Sequence, residues 1–205
     1  MRRLSLPIGM LFALLAPAGL GAINVRLGLE DIQRATDLAR FPHTDAERAQ
    51  FHKRYMVAVN SPVVEYFAVE NIEVITPFRR MELIAEEHAR VNDLFARGGL
   101  RDAEEALRPW RDQVSIVVRL RFDQTKVIPG VPAADVTIEG PVLVLPTTTN
   151  SSGIYTRTGD QSWLVGGLVE AVFDAQAVSQ GTQPVIVRWN GKEIARAAVD
   201  FAALE

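Results

Sequence analysis

The sequence predicts an α+β fold: N-terminal helices followed by an antiparallel, immunoglobulin-like β-sandwich that carries a helical insertion. Apolar residues recur at helical spacing in the first half of the chain, whereas short strand-like segments follow one another after Trp110. Strands without helices between them argue against a parallel α/β sheet. Near the end of the chain, Asn190-Gly191 is typical of a tight hairpin, which favours antiparallel pairing.

Composition limits the classes of protein that this chain can belong to. It has 205 residues, of which 48% are hydrophobic and none is cysteine. The length suits one domain with a substantial core. The lack of cysteine excludes disulfides, cysteine-ligated zinc, iron–sulfur clusters and thiol catalysis. With 23% charged residues and a net charge of −3, the chain is predicted to be folded and not to bind nucleic acid.

The first 22 residues have the three parts of a secretory signal peptide. Met1–Arg3 is basic, Leu4–Leu15 is almost wholly apolar, and Ala16–Ala22 consists mainly of small residues. We expect cleavage after Ala18 or Ala22 and a protein exported to the periplasm or outside the cell. An uncleaved membrane anchor is the alternative, although the apolar run is short for a bilayer span. No later segment approaches the roughly 20 apolar residues of a spanning helix, so we predict no transmembrane segment in the mature chain.

Residues 23–62 are predicted to form an N-terminal helical region. Apolar positions recur at helical spacing over Leu27–Arg40. Thr44–Glu47 matches a capping box, which predicts a second helix from Asp45 to about Tyr55.

Residues 63–205 are predicted to form the β-sandwich domain, starting with a strand within Val63–Ile75. Thr76-Pro77 combines an N-cap with a proline in the first turn, so a helix starts there and is predicted to reach Arg97. A short second helix follows. We therefore treat residues 77–109 as a helical insertion in the sandwich.

The remaining chain is predicted to consist of strands and loops. The segment Val114–Phe122 alternates apolar and polar or charged residues, as a half-buried strand does. Thr147–Gly153 is polar and is predicted to be a flexible loop. The other predicted strands are Asp135–Glu139, Val142–Leu145, Trp163–Phe173, Val185–Trp189 and Lys192–Phe201.

The Asn190-Gly191 turn also predicts the register of the last hairpin. A two-residue type I′ turn places Trp189 opposite Lys192, Arg188 opposite Glu193, and Val187 opposite Ile194. The opposite charges of the second pair support this register.

The three histidines do not form a recognised metal-binding pattern. None of His43, His52 and His88 belongs to an HExxH motif. On a helix, His88 points into the apolar stripe while Glu86 and Glu87 point away, because adjacent residues diverge by about 100°. We interpret His88 as a histidine at the boundary of the core, with a ligand or general-base role as the alternative. No metal site and no cofactor are predicted.

No catalytic motif stands out in the sequence. The nucleophile elbow, the P-loop and the dinucleotide fingerprint are all absent. Ser162 lacks the glycines that flank an elbow serine. Asp160 and Asp174 could serve as a carboxylate pair for sugar hydrolysis only if folding brought them together.

Two pairs of arginines are candidates for an interaction. Arg79 and Arg80 lie in the first turn of the predicted helix, where positive charge is unfavourable against the helix dipole. Either they pair with carboxylates from elsewhere, or they form an anion-binding site with the free helix-terminal N–H groups. Arg119 and Arg121 share one strand face, where they are either exposed to solvent or paired with acids of the insertion.

The three tryptophans, Trp110, Trp163 and Trp189, are candidates for an aromatic contact surface. An exposed tryptophan can stack on a sugar or bind a partner. The alternative is that each packs in the core or at its rim. We select Trp163, Trp189, Arg79 and Arg80 as candidate ligand- or partner-binding residues.

The sequence therefore favours an exported, non-enzymatic module that binds a protein partner in the periplasm or at the cell surface. This hypothesis rests on the signal peptide, the predicted sandwich and the lack of catalytic motifs. One alternative is a small-ligand or carbohydrate-binding protein that uses Trp163 or Trp189 and the Thr147–Gly153 loop. The other is a hydrolase in which His52 or His88 meets an acid and a hydroxyl.

Overall fold

The computed structural model describes residues 23, 25–40, 44–59, 61–91, 95, 100–178 and 181–204. The predicted signal peptide and His43 lie outside these residues. Within them, two antiparallel β-sheets share one apolar core, as a β-sandwich does, and helices from two segments of the chain form a second, smaller core. No helix in these ranges is both long and apolar enough to cross a membrane.

Two of the helices begin at the capping signals that the sequence contains. Thr44 accepts a hydrogen bond from the backbone N–H of Glu47, and Thr76 accepts one from that of Arg79. The α-helices of the described ranges are α1 (Leu29–Arg40), α2 (Asp45–His52), α3 (Pro77–Arg90) and α4 (Leu100–Leu107). Short 3₁₀ helices cover Lys53–Tyr55, Arg108–Trp110 and Phe201–Ala203.

Helix α3 is shorter than predicted. It ends at Arg90 and not at Arg97, because Val91 leaves the helical conformation and its N–H bonds to the carbonyl of His88 at 3.2 Å. Residues 92–94 and 96–99 lie outside the described part of the chain.

The strands pair only in antiparallel fashion within the described ranges. They are β1 (Met56–Ala58), β2 (Phe67–Ile75), β3 (Gln113–Phe122), β4 (Asp135–Glu139), β5 (Leu143–Val144), β6 (Thr148–Thr158), β7 (Gln161–Asp174), β8 (Thr182–Trp189) and β9 (Lys192–Asp200). The first sheet has the order β1-β2-β3-β7-β6, and the second has the order β5-β4-β8-β9. The predicted α+β class is confirmed at this level: β1 and β2 lie between α2 and α3, and the other strands follow α4 along the chain.

Two strand assignments were missed from the sequence. The predicted loop Thr147–Gly153 is wrong, because β6 pairs with β7 from Thr148 to Thr158. As an edge strand β6 is exposed on most of its length, so it needs no apolar face and shows no alternation. The short strand β1 begins directly after the predicted end of the second helix, where no strand was predicted, and it pairs with β2.

The last hairpin follows its predicted register at the turn but not beyond it. Trp189 lies opposite Lys192 and Arg188 lies opposite Glu193. Val187, however, pairs with Ala195 and not with Ile194. The register shifts between Val187 and Arg188, as it does at a β-bulge.

Both cores explain why these elements stay together. The inner faces of the two sheets contribute buried side chains such as Phe67, Ile116, Val136, Phe173 and Val187. The smaller core joins α1, α3 and α4 through Ile32, Ala35, Phe78, Met81, Ala85 and Ala103. The helical insertion therefore packs against the N-terminal helix, and the strands carry their own core.

Candidate functional site

The two tryptophans selected from the sequence lie in different environments. Trp163 lies on β7 near the β6–β7 turn, opposite Thr156, and is 53% exposed. Trp189 ends β8 and packs against the core, with its ring edge-on to Phe67 at 5.4 Å between centroids. Of the two, Trp163 has the greater surface available for a contact.

Arg79 is enclosed in protein between two carboxylates. Its Nε and Nη2 donate to Oε1 of Glu73 at 3.2 and 2.9 Å. Its Nη1 faces Oε2 of Glu82 at 3.6 Å, which is an ion pair but too long for a hydrogen bond. The guanidinium also lies over the ring of Tyr55, 5.2 Å from its centroid. This geometry matches the alternative in which Arg79 pairs with carboxylates from elsewhere in the chain. A ligand-binding role of Arg79 stays a prediction.

Arg80 connects the start of α3 to the first sheet. Its Nη2 donates to Oγ of Ser115 and to Oε1 of Glu170, both at 2.9 Å. Its guanidinium lies 3.9 Å from the centre of the Trp110 ring. Arg80 also borders a groove of about 360 Å³ on the outer face of the first sheet.

Glu82 is a buried acid that the sequence did not single out. Its Oε1 accepts a hydrogen bond from Nη2 of Arg54 at 3.2 Å, and its Oε2 faces Arg79. Burial raises the pKa of Glu82 from its ordinary value of 4.5 to about 7, although Arg79 and Arg54 both act to lower it. Helix α3 thus holds a carboxyl group that changes charge near neutral pH.

We expect the stability of the protein to fall as the pH rises from about 5 to about 7. In this range the folded protein keeps a proton on Glu82 that the unfolded chain has released. A rise in pH therefore favours the unfolded state and lowers the free energy of unfolding. One proton changes the free energy of unfolding by at most about 1.4 kcal/mol per pH unit. Urea unfolding at half-unit pH steps measures this slope, which Glu82→Gln should reduce. The exposed Glu105→Gln serves as a control, and an equal slope in both variants would contradict the expectation.

Of the other residues considered for chemistry, His52 meets an acid, His88 stacks on a ring, and the two aspartates are far apart. His52 lies 3.5 Å from a carboxylate oxygen of Glu86, and His88 stacks on Phe95 with 4.2 Å between ring centres. Asp160 and Asp174 lie at opposite ends of β7, which a strand of this length separates by roughly 40 Å. They therefore do not form a carboxylate pair.

The described residues show neither a metal cluster nor an ion pair between the insertion and Arg119 or Arg121. Among the described residues, no three acids or histidines cluster closely enough to hold a metal ion. Arg119 pairs with Glu70 of β2 at 3.1 Å, and Arg121 is exposed, so neither contacts an acid of the insertion in a described ion pair.

One lateral side of the sandwich is open. There β6 forms the edge of the first sheet and β5 forms the edge of the second, and no strand of the described chain pairs with either outer edge. Strand β6 is 11 residues long, and its first six residues are all small and polar or glycine. Small side chains leave backbone N–H and C=O groups of an edge accessible.

Apolar side chains are exposed at both ends of this open side. Leu143 and Leu145 lie before β6 and are 54% and 62% exposed. Tyr155 and Trp163 lie at the hairpin end, and Tyr155 is 65% exposed with its ring over Gly153. Tyr155 faces Leu164 and Trp163 faces Thr156, so the two aromatic rings project from opposite faces of the hairpin.

The opposite lateral side is partly covered, although β9 forms the edge of the second sheet there. Strands β1 and β2 lie against β9. Ser61 donates a hydrogen bond from Oγ to the carbonyl of Ile194 at 2.9 Å. The two sides of the sandwich therefore differ, and an unpaired long edge with exposed apolar residues occurs on the β5–β6 side.

The sequence contains a signal for this edge, although a loop was predicted over its first half. Thr147–Thr149 is a run of β-branched residues, and Ile154–Thr156 is rich in strand-forming side chains. The intervening Asn, Ser and Gly residues are typical of loops. Pairing with β7 overrides that local preference, and it places Tyr155 and Trp163 at the same end of the hairpin, on opposite faces.

Comparisons with known proteins place this chain in no characterised group. No protein family matches it, and no curated protein matches it. Among solved structures, it is similar to a protein of unknown function from Burkholderia pseudomallei K96243, with 13% sequence identity and a TM-score of 0.38. The match covers 86% of this chain and 91% of that one. A likeness at this level carries no argument about function.

Proposed function

We propose that this protein is an exported, non-enzymatic β-sandwich module that binds a protein partner along the open edge of β6. The observation that carries the proposal is the length of that unpaired edge, 11 residues, with exposed apolar side chains at each end. Proteins protect such edges with charges, prolines or short strands, because an exposed edge pairs with other chains. Strand β6 contains no proline and a single charged residue, Arg157.

The partner would contribute an extended segment to the sheet. In this mode of recognition, backbone hydrogen bonds to the edge strand supply affinity, and the side chains beside it supply specificity. Tyr155 and Trp163 are the aromatic groups that an added segment would meet at the hairpin end, and Leu143 and Leu145 are the aliphatic groups at the other. Aromatic residues are enriched among those that dominate binding energy.

The strand order supports an immunoglobulin-like topology, which is part of the same proposal. Immunoglobulin-type domains have strands ABED in one sheet and CFG in the other, with additional strands next to C in some types. The order β2-β3-β7-β6 corresponds to ABED, and β5-β4-β8-β9 corresponds to C, F and G with one added strand. The helical insertion would then lie between the first two strands, and β1 would extend the first sheet.

A photo-crosslinking experiment tests the proposed edge. We expect a benzoylphenylalanine residue at Ser151 of β6 to crosslink to a partner protein in the native cell envelope. The same probe at Arg196, an exposed residue of β9 on the partly covered side, should not. Tyr155→Ala and Trp163→Ala should each reduce the crosslinked product about fivefold or more, because truncating an aromatic residue that dominates an interface costs more than about 1 kcal/mol.

The control variant is Val127→Ala, which removes an even more exposed apolar side chain (89%) from the loop that follows β3. It should leave the crosslinked product unchanged. Equal crosslinking from Ser151 and Arg196, or equal losses with all three alanine variants, would refute the proposal. Thermal unfolding of each variant shows that the fold is retained.

A further inference from the structure

A cavity of about 400 Å³ lies where the start of the described chain meets the helices. Its volume is in the range of small-molecule binding sites. Five apolar residues from the N-terminal segment, α1, α3 and α4 form much of its wall: Val25, Leu27, Ile32, Pro77 and Leu107. This cavity is separate from the open edge of β6, since none of its lining residues belongs to the sandwich strands.

The charged residues of the cavity are mostly cationic. Arg26, Arg108 and Arg111 line it together with one acid, Glu104. The lining thus has an excess of positive charge, whereas the whole chain has a net charge of −3. The contact of Arg108 with Glu105 is long, at 3.9 Å, and mostly exposed, so it competes only weakly with a bound anion.

Trp110 forms a further part of the wall, and its ring is held in place by Arg80. The guanidinium of Arg80 lies 3.9 Å from the ring centre, and Glu170 holds that guanidinium from β7 at 2.9 Å. A wall that is held before binding loses little conformational freedom when a ligand arrives, which favours affinity.

We propose that this cavity binds a small amphipathic carboxylate, with its alkyl or aryl body against the apolar wall and its carboxylate at Arg108 and Arg111. A planar guanidinium matches a carboxylate with two parallel hydrogen bonds. The five apolar residues and Trp110 provide apolar surface for the body of such a ligand. An inorganic anion would make no apolar contact with this wall, and a neutral hydrocarbon would form no ion pair with the arginines.

Three probes separate the contributions of charge and apolar surface. Binding is followed by the fluorescence of Trp110 in the purified Trp163→Phe/Trp189→Phe protein. Decanoate, below its micelle concentration, should produce a saturable, one-to-one change that weakens with added salt. Decanol has the same alkyl chain without the charge. It should bind at least about tenfold more weakly, which is the loss of affinity expected when one charge-assisted hydrogen bond is removed. Acetate should produce no change in the same range.

Matched arginine variants locate the site. Arg108→Gln/Arg111→Gln should weaken decanoate binding about tenfold or more. Arg121→Gln/Arg157→Gln removes two exposed charges from the sandwich and should leave the affinity unchanged. The proposal is overturned if decanoate does not saturate, if decanol binds as tightly as decanoate, or if both double variants lose affinity equally.

Discussion

Replacing Arg79 with alanine is expected to lower the free energy of unfolding by about 3–5 kcal/mol, the range measured when one partner of a buried ion pair is removed. The side chain of Arg79 is only 2% exposed, and so is that of Glu82. Without the guanidinium, Glu73 loses both of its hydrogen bonds from Arg79, and Glu82 keeps only the cation of Arg54 beside it. Urea unfolding at pH 8 measures the loss.

The pH dependence of the same variant distinguishes loss of the ion pair from loss of packing. Arg79 lowers the pKa of Glu82, so its removal makes the charged form of that carboxyl still less favourable in the fold. Arg79→Ala should therefore destabilise the protein less at pH 6 than at pH 8. Glu82→Gln combined with Arg79→Ala should cost less than the two single variants added together. The exposed Arg157 provides the control, since Arg157→Ala should change stability by less than about 0.5 kcal/mol.

Gly166→Ala is expected to destabilise the sandwich by about 3 kcal/mol. Gly166 lies on β7 between β3 and β6, and a Cβ atom there would lie 2.6 Å from the carbonyl oxygen of Leu120. Because the obstacle is backbone of a neighbouring strand, the two strands must move apart for the methyl group to fit. Thermal or urea unfolding of the variant gives the cost directly.

The neighbouring glycine is the matched control. A Cβ on Gly167 would meet the side chain of Val131 at 2.7 Å and not the backbone. Gly167→Ala should therefore cost less than Gly166→Ala, and Val131→Ala should restore part of its stability. Trimming Val131 should not rescue Gly166→Ala. Native-like stability of Gly166→Ala would show that β3 and β7 do not need this close approach.

Gly166 and Gly167 show which features of β7 the sequence predicts and which it does not. Two adjacent glycines within a predicted strand indicate a bulge or a close backbone approach, and both features occur. The pairing of β6 with this part of β7 shifts in register between Ile154 and Tyr155, as at a β-bulge. Gly166 lies against the backbone of Leu120. The pattern does not say which of the two glycines faces backbone, because that depends on the neighbouring strand.

The ion pairs of Arg80 and Glu82 depend more strongly on parts of the chain that are distant in sequence. Arg80 and Glu170 are 90 residues apart in sequence, and Arg54 and Glu82 are 28 apart. Their pairing follows from how α3 lies on the first sheet, which no local pattern specifies. An unfavourable position in the first helical turn was enough to single out Arg79 and Arg80, but not to name their partners.

The sequence by itself determined the local features: the helix starts at Thr44 and Thr76, the hairpin turn at Asn190-Gly191, and the change from helices to strands after Trp110. Each depends on interactions within a few residues, so the local sequence is sufficient. Only the tertiary structure decided that residues 148–158 are an edge strand and that Glu82 is buried beside two arginines. It also decided which side of the sandwich stays open. These features arise from packing between distant segments, which override the preferences of single residues.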